Sequence, residues 1–212
     1  MQIIVIAKAP VPGHVKTRLC PPCTPVQAAA IASAALADTL ASVASTPAAR
    51  RTLAIAGDYA APRGFHVVRQ RGSGLGERLA NAFADTRLPE IPSLLIGMDT
   101  PQATASMLAG IAAGLDDADA VLAPAADGGW WALALRDPGH ARVLAGVGMS
   151  LPDTGVETRA ALRRLGLRIA IGPMLRDVDT VADALAIASS LSDAPGKFVE
   201  SVQRNFPVGG RT

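Results

Sequence analysis

The chain has 212 residues and a mass of 21.6 kDa, a length that suits one domain and is too short for two ordinary ones. Half of its residues are hydrophobic and 18% are charged, which excludes a disordered or a collagen-like chain. The formal net charge is only +2. Because the basic residues also form no continuous run, nucleic acid is not expected as a partner.

The N-terminal apolar segment Ile3–Ala7 is too short for the apolar core of a signal peptide and ends at Lys8. No apolar stretch approaches the ~20 residues that span a bilayer. We therefore expect a cytoplasmic protein without a membrane partner. Since no repeat or linker is visible, we also expect a single domain over residues 1–192 and a loose tail over residues 193–212.

Short aliphatic segments alternate with amphipathic ones along the chain, which predicts an α/β fold with a mostly parallel sheet. The predicted strands are Gln2–Ala7, Thr52–Ala56, Phe65–Arg69, Ser93–Met98, Ala118–Ala123, Trp130–Leu135 and Arg168–Ile171. The predicted helices begin after Thr24 and Thr104 and cover Leu75–Ala84, Asp153–Leu165 and Val181–Leu191. Thr24 and Gln27 form the spacing of a capping box, with Pro25 at the first helical position.

The loop after the first strand carries three cations, Lys8, Lys16 and Arg18, together with Pro12 and Gly13. Ligands of α/β sheets bind beyond the carboxyl ends of the strands. Lysine and arginine suit a polyphosphate there, and a glycine lets the backbone approach it closely. The alternative is a solvated basic loop, since the spacing of a P-loop is absent.

A glycine-rich loop follows the third strand and leads into a helix. Its backbone N–H groups and cations could face an anion or a base, and a simple flexible connection is the alternative. The candidate nucleotide-binding residues here are Gln70, Gly72, Gly74, Leu75, Gly76 and Arg78.

Carboxylates follow the later strands. Asp99 ends the apolar central strand, and a single aspartate beside phosphates can hold Mg²⁺; capping of the turn is the alternative. Asp179, or in its place Asp177, is a candidate for a second metal contact, although either Asp179 or Thr180 could instead cap the last helix. The candidate acceptor-binding residues are Thr100, Asp127, Gly128, Gly129 and Trp130, and a tight hairpin is the alternative for the last four.

Taken together, five motifs resemble those of a bacterial family of uncharacterised function, DUF2064, in the nucleotide-diphospho-sugar transferase (glycosyltransferase A) superfamily. The motifs are K-x-P-x-P-G-x-x-K-T-R-L, Q-x-G-x-x-L-G-x-R-L, D-T-P-Q, D-G-G-W and D-V-D-T. The resemblance extends from Ile3 to Leu185. The chain is more distantly similar to 2-phospho-lactate guanylyltransferases and molybdenum cofactor nucleotidyltransferases. It departs from the family at Met98, where a small residue is more usual, and at Trp130–Trp131, where tyrosines are commoner.

The resemblance implies a three-layer α/β/α fold with a mixed, mostly parallel sheet in which the strand at Trp130 is antiparallel. It also implies Mg²⁺ or Mn²⁺ at Asp99, and a nucleotide or nucleotide-sugar donor over Lys8, Lys16, Arg18 and the Gly72–Gly76 loop.

We therefore expect a metal-dependent transferase with Lys16, Arg18 and Asp127 as catalytic residues and a small molecule as acceptor. Lys16 and Arg18 would neutralise charge on the leaving phosphate. Glycosyl transfer from a nucleotide-sugar is favoured by the family. Nucleotidyl transfer from a triphosphate, with release of pyrophosphate, is favoured by the cation-rich loop. A homodimer is a candidate assembly.

Two other functions stay open at this point. One is a nucleotide-binding module without catalysis. The other is thiol redox chemistry at Cys20 and Cys23, whose C-x-x-C spacing would also suit half of a zinc site. For these cysteines an incidental presence is favoured.

Overall fold

The computed structural model describes residues 1–206, in which one seven-stranded sheet lies between two layers of helices. The strands are β1 (Gln2–Lys8), β2 (Arg50–Ala56), β3 (Phe65–Arg69), β4 (Ser93–Ile96), β5 (Ala120–Pro124), β6 (Trp130–Leu135) and β7 (Ile169–Ile171). The helices are α1 (Pro25–Ala44), α2 (Leu75–Thr86), α3 (Ala105–Ala113), α4 (Thr154–Arg164), α5 (Val181–Ser190) and α6 (Lys197–Asn205), with 3-10 segments at Thr17–Leu19 and Pro138–Gly146.

The strand order is β3-β2-β1-β4-β6-β5-β7. Strands β1 to β4 are parallel to their neighbours within that group, and β7 is parallel to β5. Strand β6 is antiparallel to both β4 and β5, as expected for the strand at Trp130. The mixed, mostly parallel sheet and its covering helices confirm the predicted fold class.

Side chains of the central strand β1 alternate between the two faces of the sheet, as the period of a strand requires. Ile3 and Val5 pack against α1 and α3 on one face, where Leu36 is fully buried. Ile4 packs on the other face against α2 and the Pro138–Gly146 segment, where Phe83 is fully buried. Both faces are covered, which explains the uninterrupted apolar sequence of the central strands.

A third apolar cluster lies outside the sheet, among α1, α5 and α6. Phe198 and Val202 of α6 are buried in this cluster against Ile31 of α1. The prediction of a loose tail from Asp193 is therefore wrong for Lys197–Asn205, because the apolar face of this segment is buried. The remainder of that predicted tail, residues 207–212, lies outside the described residues.

Helix α1 has 20 residues and, among the described helices, is the one long and apolar enough to cross a membrane. The expectation that no such stretch exists is wrong. However, 56% of its apolar window is buried inside the protein, between the sheet and α6. Its apolar composition is therefore explained by its place in the core. The capping box at Thr24 and Gln27 is present as predicted.

Candidate active site

A cleft with a volume of about 460 Å³ lies at the carboxyl edge of β1, β2 and β4. Lys8 ends β1, Asp99 follows β4, and Trp130 begins the antiparallel β6, so all three reach the same edge of the sheet. A second cavity of about 270 Å³ adjoins it and shares Lys8, Arg18, Met98, Asp99 and Asp179. The cation-rich loop therefore lies between the two cavities.

Lys16 and Arg18 meet the predicted metal-binding carboxylates directly. The Lys16 Nζ atom lies 2.5 Å from Asp99 Oδ2 and 3.0 Å from Asp179 Oδ1, and only 10% of the Lys16 side chain is exposed. Arg18 Nη1 lies 3.2 Å from Asp179 Oδ2. Residues separated by 83 and 163 positions are thus joined in one network of charges.

Two backbone-directed hydrogen bonds hold the Asp99 turn against the Asp177–Asp179 segment. The Val178 N–H donates to Asp99 O at 2.9 Å, and the Gln102 amide donates to Arg176 O at 2.5 Å. Thr180 is the N-cap of α5 in a complete capping box with Asp183. Thr180 therefore provides the cap, and Asp179 remains free to contact Lys16 and Arg18.

The electrostatics of this network favour a charged Lys16. Burial alone would lower the pKa of Lys16, but the attraction of Asp99 and Asp179 outweighs burial and raises the pKa above its usual value. The ammonium group is therefore fixed between two carboxylates as a permanent positive charge near neutral pH.

Asp177 adds a further acidic group to the same edge. Burial raises the pKa of Asp177 to about 7, and the charges of Asp99, Asp127 and Asp179 contribute to the rise although Lys16 opposes it. Four carboxyl groups thus lie close enough for the other three to act on Asp177, and this repulsion disfavours a negative charge there.

The predicted nucleotide-binding residues divide into two groups. Those that line the cleft are Lys8, Arg18, Gln70, Leu75 and Arg78. Lys16 lines the adjoining cavity, whereas Pro12 and Gly13 are exposed on the loop and line neither one. The side-chain amide of Gln70 donates to the carbonyls of Ala7 and Ala54 at 2.7 and 2.9 Å, so it ties β1 and β2 together.

Close packing accounts for a glycine in the second loop. Gly76 is buried, and a side chain there would collide with the Leu144 carbonyl of the Pro138–Gly146 segment. Its role in nucleotide binding stays a prediction. Gly72 adopts a φ of +124° beside Glu77, and Gly74 is the N-cap of α2; neither lines the cleft.

The Asp127–Trp130 turn is held by α4. Gly128 has a φ of +92°, and a side chain there would collide with the Pro152 carbonyl. Protein backbone therefore fills the space beside Gly128, and contact of this residue with an acceptor stays a prediction. Asp127, Gly129 and Trp130 do line the cleft, and the Trp130 indole donates to Thr158 at 3.1 Å.

Thr100 does not reach the cleft. Its side chain is buried, and its hydroxyl has no partner among the described residues. Its role in acceptor binding stays a prediction, for a side chain that the turn directs inward.

Sequence reasoning missed the apolar wall of the cleft. Met149, Ser150, Leu151 and Thr154 line it on the segment that leads into α4. Leu75 and Leu151 are 45% and 52% exposed there, and Ser150 adopts a left-handed φ of +62°. An exposed leucine next to a residue with a left-handed φ is a weak sign of a binding surface. Because neither exposure nor φ can be read from the sequence, sequence reasoning could not use this sign.

Cys20 and Cys23 are both free. Burial, with a smaller contribution from Cys20, raises the pKa of the Cys23 thiol. A reactive cysteine needs a lowered pKa, so the environment of Cys23 does not favour redox chemistry. Within residues 1–206 no three His, Cys, Asp or Glu side chains are grouped closely enough to hold a metal, which also argues against a zinc site at these cysteines.

The architecture is that of the nucleotide-diphospho-sugar transferase fold. The chain is 25% identical to a candidate nucleotide-diphospho-sugar transferase from Desulfovibrio desulfuricans G20, with a TM-score of 0.84 over 96% of this chain and 94% of that chain. The chain belongs to the bacterial family described as "Uncharacterized protein conserved in bacteria (DUF2064)", whose family model matches residues 28–151.

Two more distant structures share the fold. Rv0371c from Mycobacterium tuberculosis H37Rv is 19% identical, with a TM-score of 0.58 over 88% of this chain and 97% of that chain, and it has also been solved with manganese. The 2-C-methyl-D-erythritol 4-phosphate cytidylyltransferase from Thermus thermophilus is 14% identical, with a TM-score of 0.59 over 91% of this chain and 100% of that chain. No curated protein matches the sequence.

Proposed function

We propose that the protein is a divalent-metal-dependent transferase that uses a nucleotide donor and a small acceptor. The observation that carries this proposal is the contact of Lys16 and Arg18 with Asp99 and Asp179 in a cleft at the carboxyl edge of the sheet. This edge is where α/β sheets bind ligands. The resemblance to the D. desulfuricans protein supports the same class of donor. A cytoplasmic location and a homodimer remain part of the proposal.

The cations are placed for the phosphates of the donor. Lys8 of β1, Arg18 of the loop after β1 and Arg78 of α2 line the cleft. Lys16 lines the adjoining cavity. Together they would bind the phosphates and neutralise the charge that develops on the leaving phosphate. Reactions of this kind depend mostly on alignment and electrostatics, which suits a site built from fixed charges.

The carboxylates fit a divalent cation. Asp99 and Asp179 already direct oxygens at one positive centre, the Lys16 ammonium. A further positive charge would also offset the repulsion between Asp177 and the neighbouring carboxylates, which raises the pKa of Asp177. Two carboxylates and donor phosphates form a usual Mg²⁺ environment. When bound, Mg²⁺ or Mn²⁺ would polarise phosphate oxygens and stabilise the charge of the leaving group.

The apolar part of the cleft lining suits an acceptor with an apolar body. Leu75, Met149, Leu151 and Trp130 provide apolar surface there, and burial of such surface favours binding by roughly 25 cal/mol per Å². Asp127 lies on the same turn as Trp130 and is our candidate for orienting the acceptor hydroxyl. Its Oδ1 atom accepts the Gly129 N–H at 2.9 Å, which fixes the carboxylate.

Glycosyl transfer is our first candidate reaction. The acceptor oxygen would form a bond to C1 of the sugar, the bond from C1 to the donor phosphate would break, and a nucleoside diphosphate would leave. The likeness to the D. desulfuricans protein favours this reaction.

Nucleotidyl transfer is the second candidate. The acceptor oxygen would attack the α-phosphorus of a triphosphate and release pyrophosphate. Four cations at one edge, Lys8, Lys16, Arg18 and Arg78, suit the higher charge of an intact triphosphate, and this observation favours the second reaction.

Product analysis with matched variants tests the proposal. The protein would be incubated with panels of nucleotide-sugars, triphosphates and apolar hydroxyl acceptors with Mg²⁺ or Mn²⁺, and products followed by ³¹P NMR. Nucleoside diphosphate indicates glycosyl transfer, whereas pyrophosphate indicates nucleotidyl transfer. Asp99→Asn should lower turnover by about 10²-fold or more, because it removes one of the two carboxylates that would hold the metal, and with it the metal's stabilisation of the leaving group. Asp117→Asn, at an exposed position far from the cleft, is the control.

Full turnover in Asp99→Asn would contradict the proposed metal role. Nucleotide binding without any product, across the panels, would indicate the non-catalytic binding module instead.

A further inference from the structure

The position of Lys16 is the starting point. Its ammonium group contacts Oδ2 of Asp99 and Oδ1 of Asp179 at the same time. These two carboxylates are the ones that the proposed function assigns to the metal. A divalent cation held by these same oxygens would lie beside the ammonium group, whose Nζ atom is 2.5 Å from Asp99 Oδ2, and two positive charges at so short a distance repel each other strongly.

Lys16 is also held in an unusual backbone state. Its φ of +46° and ψ of +40° are left-handed, at the start of the Thr17–Leu19 segment, a region that non-glycine residues seldom occupy. Such strained residues persist where the surroundings fix them, and here the two ion pairs do so. The cations that line the cleft are held less firmly than Lys16. Lys8 and Arg78 have no ion pair within the described residues, and the Arg18 side chain is 72% exposed.

We propose that Lys16 is an internal counter-ion of the metal site, one that must leave Asp99 and Asp179 before a divalent cation can bind and that then turns to the phosphates of the donor. This inference rests on the proposed function for the identity of the site. It goes further because it assigns Lys16 first to the carboxylates of the metal site and then to the phosphates of the donor.

A consequence is that nucleotide and metal must promote each other's binding. Without nucleotide, the displaced ammonium loses two charge-assisted hydrogen bonds with no replacement. With nucleotide, the phosphates replace them. The coupling is reciprocal, so the factor by which nucleotide tightens metal binding equals the factor by which metal tightens nucleotide binding.

The test measures Mn²⁺ binding in the absence of nucleotide, by the loss of the free Mn²⁺ signal in electron paramagnetic resonance. Lys16→Met keeps much of the length of the side chain and removes its charge. We expect this variant to bind Mn²⁺ about tenfold or more tightly than the wild type, within the usual range of such couplings. Lys8→Met removes a cation from the same cleft that has no carboxylate partner among the described residues. It should tighten Mn²⁺ binding by less than about threefold, since an unpaired exposed charge acts only through solvent.

Equal or weaker Mn²⁺ binding by Lys16→Met overturns the inference, and so does an equal gain in both variants, which would reflect net charge alone. Lys16→Arg guards against a folding defect, because it keeps a cation at this position and should retain the weak Mn²⁺ binding of the wild type. If Lys16→Met binds Mn²⁺ no better than the wild type while the wild type still converts a nucleotide donor, the counter-ion role fails and the proposed function stands. If the wild type shows no turnover but Lys16→Met binds Mn²⁺ more tightly, the proposed function fails and the counter-ion role stands.

Discussion

Gly128 shows how a residue without a side chain can hold a functional loop in place. Its carbonyl accepts the Gly155 N–H at 2.9 Å, at the start of α4, and its α-carbon lies against the Pro152 carbonyl. The neighbouring Asp127 and Trp130 line the cleft. The glycine is needed because another segment of the chain comes so close, and its φ of +92° is a second requirement.

We predict that Gly128→Ala destabilises the protein by about 3 kcal/mol, because it adds overpacking against backbone to an unfavourable φ. The measurement is urea denaturation followed by circular dichroism. Nucleotide-dependent turnover should fall as well, since Asp127 must move. Gly110→Ala is the matched control: Gly110 is exposed in α3 with open space around it, so alanine there should stabilise by up to about 1 kcal/mol. Similar stability changes in the two variants would contradict this account.

Helix α6 depends on a residue from a distant helix. Gly196 is its N-cap and has no side chain to accept the first N–H groups. Asp38 of α1 accepts them instead, from Lys197 at 3.1 Å and Phe198 at 2.8 Å. A side chain at Gly196 would collide with the Asp38 carboxylate, so the glycine and the aspartate form one capping arrangement.

We predict that Asp38→Ala lowers the free energy of unfolding by about 1–2 kcal/mol, as the loss of an N-cap does. Hydrogen exchange of the α6 amides should accelerate more than that of the sheet. Asp38→Asn keeps an acceptor oxygen and should recover most of the stability. The explanation fails if the asparagine variant is as unstable as the alanine variant.

Elements with local signals could be predicted from the sequence, and those fixed by distant contacts could not. Strand β6 has the predicted bounds, Trp130–Leu135, and the capping box at Thr24 was visible from spacing alone. Helix α6 was missed because its capping carboxylate comes from Asp38, 158 residues before Gly196. An isolated helix of nine residues is also unstable without packing.

The candidate site follows the same rule. The topology of parallel strands predicted that the Lys16 loop and Asp99 share one edge of the sheet. The direct ion pair is made by a lysine with a left-handed backbone, a conformation that has no sequence signature in a lysine. The close approach of Leu144 to Gly76 and of Pro152 to Gly128 could not be predicted, because these neighbours are distant in sequence or lie on another element.

At the scale of the whole molecule, two aspartates near the site have pKa values that are shifted in opposite directions. Burial and neighbouring carboxylates raise the pKa of Asp177 to about 7. Burial also opposes ionisation of Asp183, but hydrogen bonds from Thr180 and the ion pair with Arg176 outweigh it and hold the pKa of Asp183 below its usual value. Asp183 fastens the segment that carries Asp177 and Asp179 to the start of α5. The fold therefore supports the candidate site carboxylates with a carboxylate that does not line the cleft.

This arrangement predicts how acid acts on the protein. Because the pKa of Asp183 is lowered in the folded state, its stabilisation is complete above the unfolded value of about 3.9 and is lost as the pH falls through the lower folded value. Asp183→Asn should therefore cost about 1 kcal/mol at pH 7, through the lost interaction with Arg176 and the helix N-terminus, and progressively less as the pH falls below about 3.9. Urea midpoints measured from pH 2 to pH 8 would show the two curves converging at the acid end. Asp58→Asn removes an ion pair of the same 3.0 Å length, but Asp58 is 91% exposed, so its curve should follow the wild type throughout. A constant difference between Asp183→Asn and the wild type across this range would mean that packing of the side chain, and not its charge, holds the segment.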